Sequence, residues 1–256
     1  MAAPTTFELL WGTRQRPRRG PKPSLSLQRI VTEAIALADA EGLASLSMQH
    51  LAERLGCAKM ALYRYVPGKA ELVALMVDAA IGDPPRPPAQ APPVGQAAET
   101  GQTPASGQTA ASAEPVWRAV LRLWATTIFG RYRAHPWTIE ATAGARPTGP
   151  HEMAWIETAL AALAGTGLTG PERLDAVVLL NGHVRSLVQV SAGQEDPEAE
   201  IARQIGAVLS ANPDRYPQVL AAFSSSPETS GRENALHFGI DRILDGLAAL
   251  ITARAA

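Results

Sequence analysis

The sequence predicts an all-α protein: an N-terminal three-helix unit followed by a larger C-terminal helical domain. Three observations carry this. Apolar residues recur every three or four positions through most of the chain, few stretches alternate with the period of a strand, and a run rich in Pro, Gly, Gln, Ala and Thr at 83–115 interrupts the pattern. A chain of 256 residues suffices for one large domain or two modest ones.

Residues 1–24 place Arg14, Arg16, Arg18, Arg19 and Lys22 among prolines and glycines, a composition read as a flexible basic arm. Helical periodicity begins at Ser26, a suitable N-cap, with Leu27, Ile30, Val31, Ala34 and Ala38 on one face and Gly42 beyond the last turn. From Ser47 to Val66 the chain reads SMQHLAERLGCAKMALYRYV. Ala52 is small where two helices would cross, Gly56 can take a left-handed turn, and Leu51, Leu55 and Leu62 would fill the shared core. That spacing fits a helix-turn-helix and also fits any tight helical hairpin. A helix over Ala70 to Ile81 closes this unit, so residues 25–82 form the first domain.

The 83–115 segment has too few large apolar residues to offset its ordering entropy and is read as a linker. Residues 116–256 form the second domain, with helices over Val116 to Arg133, His151 to Ala164, Pro171 to Ala192, Glu198 to Ser210 and Glu233 to Arg254. The total expected is about nine or ten helices.

Charge is divided along the chain. Between Gly12 and Lys69 ten Arg and Lys face four Asp and Glu, whereas from Ala70 onward thirteen face nineteen. A basic head on an acidic body suits a protein whose head alone meets a polyanion. The lone Cys57 excludes an internal disulfide and is read as a small buried hydrophobe. His50 has no ligand partners at useful spacing, and neither a metal nor another cofactor is expected. The absence of a long apolar run or a secretory start leads to the expectation of a cytoplasmic protein with no membrane contact. No nucleophile elbow, phosphate loop or paired catalytic carboxylates appears, so the chain is not expected to be an enzyme.

The stretch ALYRYVPGKAELV, with the helices before it, resembles the N-terminal domain of TetR family regulators over residues 25–81. The matching core is Leu62, Tyr63, Tyr65, Val66 and Lys69, and Pro67-Gly68 is a departure at a variable turn. The resemblance implies a recognition helix in the major groove. Its first residues, Lys59, Met60 and Ala61, would meet base edges, Lys59 donating to guanine and the other two packing on thymine methyls. Gln49 matches a further base-reaching position. Ser47, Tyr63, Tyr65 and Lys69 match phosphate-contacting positions, with Arg64 added. Residues two apart on a helix point apart, so the two tyrosines do not share one core and at least one phenol meets solvent or phosphate.

The corner His135-Pro136-Trp137, the helix start Gly149-Pro150 and Phe238-Gly239 before Asp241, Leu244 and Gly246 are similar to the tetracycline-repressor branch over about residues 117–254. In that branch two helices pair with their copies in a dimer. Here the resemblance implies Leu174 to Ala192 and Leu236 to Ile251, with Ile240, Ile243, Leu244 and Leu247 at the interface. It also implies an effector pocket with Trp124, Ile128 and Trp155 as apolar walls and Asn181, His183, Arg185 and Gln189 as polar groups. The expected partners are double-stranded operator DNA, a small-molecule effector and a second copy of the chain, in a repressor released from a palindromic operator. The competing readings are a non-specific architectural DNA binder and an enzyme carrying an appended helix-turn-helix.

Overall fold

A computed structural model of the chain describes residues 5–12, 25–86, 114–144, 146–191, 197–212, 214–224 and 234–255. Among them twelve α-helices and one 3₁₀ turn occur, and no strand. The first unit contains α1 (Thr6–Trp11), α2 (Leu27–Glu41), the 3₁₀ turn Leu43–Ser45, α3 (Met48–Leu55), α4 (Lys59–Leu62) and α5 (Lys69–Ile81). The body contains α6 (Val116–Ala134), α7 (Trp137–Ala141), α8 (Pro150–Ala162), α9 (Gly170–Ser191), α10 (Pro197–Ala211), α11 (Pro217–Ser224) and α12 (Asn234–Ala255).

Local chemistry sets the helix ends of the first unit. Ser26 caps α2 by accepting from the Arg29 amide at 3.2 Å, and Gly42 ends it at φ 80°. Ser47 caps α3 by accepting from the His50 amide at 3.1 Å. Gly56 ends α3 in the left-handed conformation, φ 66° and ψ 35°, which turns the chain sharply into α4 without a Cβ penalty. Besides α1, two helices lie outside the expected ones: α7, five residues in the corner after His135, and α11.

The basic arm needs a partial correction. Residues 6–11 are helical, with a capping box in which Glu8 N–H donates to Thr5 Oγ1 at 3.2 Å and Thr5 N–H to the Glu8 carboxylate at 2.8 Å. Leu10 is buried where α1 packs on α5, and the Trp11 indole donates to the Thr148 carbonyl at 3.0 Å. The local run Phe-Glu-Leu-Leu-Trp outweighs the polar average of the 24 residues around it. Residues 13–24, with the clustered arginines, and 87–113 of the expected linker lie outside the described residues.

Buried side chains form one continuous apolar cluster from Ile30 and Leu37 in α2, through Leu72 and Met76 in α5, to Leu121, Leu180, Ile240 and Leu244 in the body. Helix α5 joins the two halves, since it packs against α1 and α2 on one side and α6, α7 and α8 on the other. In the body α6 and α9 form the central pair, flanked by α8 and α12. Arg118 binds Asp245 at 2.6 Å and Arg122 binds Asp241, so two ion pairs fix α12 alongside α6.

Candidate nucleic-acid interface and ligand clefts

The crossing of α3 on α4 is built from Leu51, Ala52 and Leu62, all buried to within 1% exposure. Ala52 leaves no side chain to hold the helices apart. This packing turns the first residues of α4 outward: Lys59 and Met60 are exposed, Met60 by 72%, and Ala61 is half-buried. Met60 is thereby the most exposed large apolar side chain among the described residues. Lys59 Nζ lies 6.0 Å from the centre of the Tyr63 ring, which keeps the cation at the same face.

The flanking residues divide. Ser47 Oγ accepts the cap bond, so its own hydroxyl proton is free to donate outward. Arg64 and Lys69 are exposed, Lys69 making only a 3.5 Å contact to the Leu43 carbonyl. The Gln49 amide donates to Glu53 at 2.8 Å, a bond it must give up to reach a base. Tyr65 is a correction: its hydroxyl donates to the Leu25 carbonyl at 3.0 Å and ties down the start of α2, so its donor is spent inside the protein rather than offered to phosphate. Arg54 holds α3 to α2 through Glu33 at 2.7 Å, and His50 lies 3.9 Å from Glu41 on the same seam. Cys57 is half-buried beside α4.

Beside the Trp11–Thr148 bond, three further polar ties among the described residues join this unit to the body. Asp39, on α2, accepts on one oxygen from His135 Nδ1 at 2.8 Å and from the Trp137 indole at 2.6 Å. Asp78, on α5, is buried and caps α8, accepting from the amides of His151 at 2.9 Å and Glu152 at 3.2 Å and from His151 Nδ1 at 2.7 Å. Gly149 makes that approach possible, because a Cβ there would stand 2.1 Å from the Asp78 carboxylate. The Trp155 indole donates to the Gly82 carbonyl at 2.7 Å, anchoring the end of α5.

The expected effector residues do not converge on one cavity. Trp124, Ile128 and Trp155 are buried in the core, the two indoles edge to face with centroids 5.6 Å apart and Trp124 N–H donating to the Trp155 carbonyl at 2.9 Å. On α9, Asn181, Arg185 and Gln189 follow at intervals of four and share a side, whereas His183 points away from them. Asn181 accepts from the Tyr132 hydroxyl at 3.1 Å, and burial pushes that phenol's pKa up. Arg185 donates to Thr142 Oγ1 at 2.7 Å and the Ile139 carbonyl at 3.1 Å, with its guanidinium over the Tyr132 ring. Arg185 and exposed Gln189 line a cleft of about 590 Å³ between α2, α7 and α9. His183 instead donates to the Leu236 carbonyl at 3.2 Å and sits on Gly239, where a Cβ would meet the imidazole at 2.2 Å. A smaller cleft of about 390 Å³ lies between Phe129 and Arg133 on α6 and the start of α12. Among the described residues no group of three or more His, Cys, Asp or Glu could hold a metal ion, and no helix is long and apolar enough to cross a membrane.

The residues expected at a dimer interface mostly face inward. Ile240 and Leu244 are fully buried and Leu247 nearly so, within the chain's own core, while Ile243 is half-buried. The outward large apolar residues of the same two helices are Leu174, Val178, Leu179 and Val190 on α9 and Phe238 and Leu250 on α12, with Val178 68% and Phe238 62% exposed. Periodicity found the apolar helix but could not divide it between its own core and a partner.

Comparison with known proteins bears on both halves. Residues 30–76 match the family model described as bacterial regulatory proteins, tetR family, and residues 109–251 match that of the tetracyclin repressor-like C-terminal domain. The HTH-type transcriptional repressor DrrR1 of Streptomyces coeruleorubidus is 36% identical over 97% of this chain and 87% of its own length. Apo ActR from Streptomyces coelicolor has a TM-score of 0.69 at 23% identity, covering 92% of this chain and all of ActR. ActR in complex with actinorhodin has a TM-score of 0.67 at 23% identity, over 89% of this chain and 98% of ActR. At these identities the ActR structures speak for the fold.

Proposed function

The chain belongs to the TetR family of bacterial transcriptional regulators, and we propose that it is a dimeric repressor released from a palindromic operator by a small molecule. The observation that carries this reading is the outward first turn of α4, where Lys59 and Met60 project from a helix that Gly56 sets across α3. A helix so presented enters a major groove with its N-terminal side chains toward the bases. Lys59 donates to guanine O6 and N7, and Met60 and Ala61 pack on thymine methyls, with Gln49 reaching an adenine once it leaves Glu53. Ser47, Tyr63, Arg64 and Lys69 hold phosphates. Tyr65 positions α2 instead.

One recognition helix reads too few base pairs for an operator, so two copies are needed. The exposed apolar residues of α9 and α12 supply the face that a second copy would cover. Residues 25–82 act as the reader and 116–256 as the sensor. Helix α5 is the lever, since it starts at Lys69 and ends on Trp155. Two recognition helices reach successive grooves only about 34 Å apart, so a modest swing of each lever defeats simultaneous docking. The named function of DrrR1 as a repressor and the binding of actinorhodin by ActR support this scheme.

Selection of bound sequences from random double-stranded DNA tests it. A palindrome with half-sites about one helical turn apart is expected, retained over random DNA at physiological salt. Equal binding to all sequences would sink the repressor reading in favour of a non-specific binder.

A further inference from the structure

The larger cleft lies where the reader meets the body. The end of α2 and the following turn form one wall with Asp39, Gly42 and Leu43, and α7 and α9 form the others. About 590 Å³ falls within the roughly 300–1,000 Å³ of small-molecule sites. Trp137, Ile139 and Val188 make the cleft's floor largely apolar.

Its charges are unevenly committed. Arg185 reaches the cleft, but its guanidinium is turned onto Thr142, the Ile139 carbonyl and the Tyr132 ring. Glu140, by contrast, is exposed and has no ion-pair partner among the described residues. Asp39 takes both of its donors, His135 and Trp137, on the same oxygen. Those partners of Arg185 are neutral and leave its charge in place, but the two carboxylates of Asp39 and Glu140 outnumber it, so the lining carries a net negative charge beside an indole, a ring type whose face attracts cations.

We propose that this cleft binds a compact hydrophobic cation, with its apolar body on Trp137, Ile139 and Val188 and its charge beside Glu140 and Asp39. The guest would touch the reader through α2 and the body through α7 and α9 at once. It would thus bias how the two sit together and change operator affinity. That consequence rests on the repressor reading, whereas binding itself needs no DNA.

Tetraphenylphosphonium and tetraphenylborate, matched in size and opposite in charge, discriminate. Calorimetric titration of the full chain should show the cation binding at least about tenfold more tightly than the anion. Glu140→Gln should weaken the cation about fivefold, and Gln189→Trp, placed on the exposed rim, should abolish its binding. Both positions are exposed, so melting temperatures should not move. Equal affinity for the two ions, or unchanged cation affinity in both variants, would overturn the site. Saturating cation should also shift operator affinity. An unchanged operator affinity alongside charge-selective, variant-sensitive binding would overturn the coupling and leave the site standing.

Discussion

Removing the Asp78 carboxylate tests the joint between lever and sensor. In Asp78→Ala two amides of the first turn of α8 and one imidazole N–H lose their acceptor, at a position only 5% exposed. Loss of a helix cap costs about 0.5–2 kcal/mol and a buried donor left unmade about 1–3 kcal/mol, with His151 partly able to turn to water. The expected destabilisation is about 2–4 kcal/mol. Asp78→Asn keeps an oxygen where both amides point and loses the charge near the helix start, so it should cost about 1 kcal/mol. Gly149→Ala forces the same carboxylate aside, because its Cβ would stand 2.1 Å from Asp78 Oδ1.

Urea denaturation of Asp78→Ala, Asp78→Asn, Gly149→Ala and the variant combining Asp78→Ala with Gly149→Ala measures this. With a slope of about 3 kcal/mol/M, Asp78→Ala should lower the midpoint by about 1 M. The double variant should fall short of additivity, since the two carboxylate atoms at 2.1 and 2.3 Å from the added methyl are gone and only the Cβ of residue 78, at 2.7 Å, still meets it. Strict additivity would refute the proposed clash, and an Asn variant as unstable as the Ala variant would refute capping as the source of the stability.

On DNA, Lys59→Ala should relax sequence preference and weaken operator binding by about 1–3 kcal/mol, whereas Lys69→Ala should weaken all sequences alike and lower the salt slope by about one, as read by fluorescence anisotropy across salt concentrations. Val178→Glu on the outward face of α9 should convert the dimer to a folded monomer in sedimentation, while Ile240→Glu, inside the core, should lower the melting temperature sharply. Burial raises the Tyr132 pKa above its ordinary 10, so its contribution to stability is complete below that value and is lost as pH rises through the folded-state pKa. Melting temperature should accordingly fall above about pH 10, and Tyr132→Phe should flatten that part of the fall.

What the residues reveal unaided depends on the range of the interaction. Ser26, Ser47 and Gly56 act within a turn of themselves, and the helix ends they set agree with the local pattern. The ties at Asp39 and Asp78 join residues 96, 98 and 73 positions apart, and no spacing rule reaches that far. Tyr65 is another such case: its neighbours on α4 suggest an outward phenol, but Leu25, 40 residues earlier, takes its hydrogen bond. For α9, periodicity groups Asn181 with Arg185 and Gln189. It does not say that Arg185 spends its donors on the corner formed by α7, which decides where an open cleft remains.

The ties also constrain how a signal could travel. Asp39 joins α2 to the α7 corner, Asp78 and Gly82 join α5 to α8, and Trp11 joins α1 to Thr148, so the first unit is held to the body at separate places. Helices α2 and α5 pack directly on each other, and α3 is bound to α2 by Arg54 and by apolar contact. A displacement of α8 that pulled α5 alone would have to open the buried seam with α2, where Ile30, Leu37, Leu72 and Met76 are fully buried. Burying each such side chain is worth about 1.5–3 kcal/mol, so the four together outweigh the two hydrogen bonds that Asp39 accepts from the corner, at about 1.5–3 kcal/mol each. The seam therefore outlasts the tie. Strain entering through α8 is passed to α2, α3, α4 and α5 together, and it is resisted by the Asp39 tie and by the packing of α5 on α6 and α7.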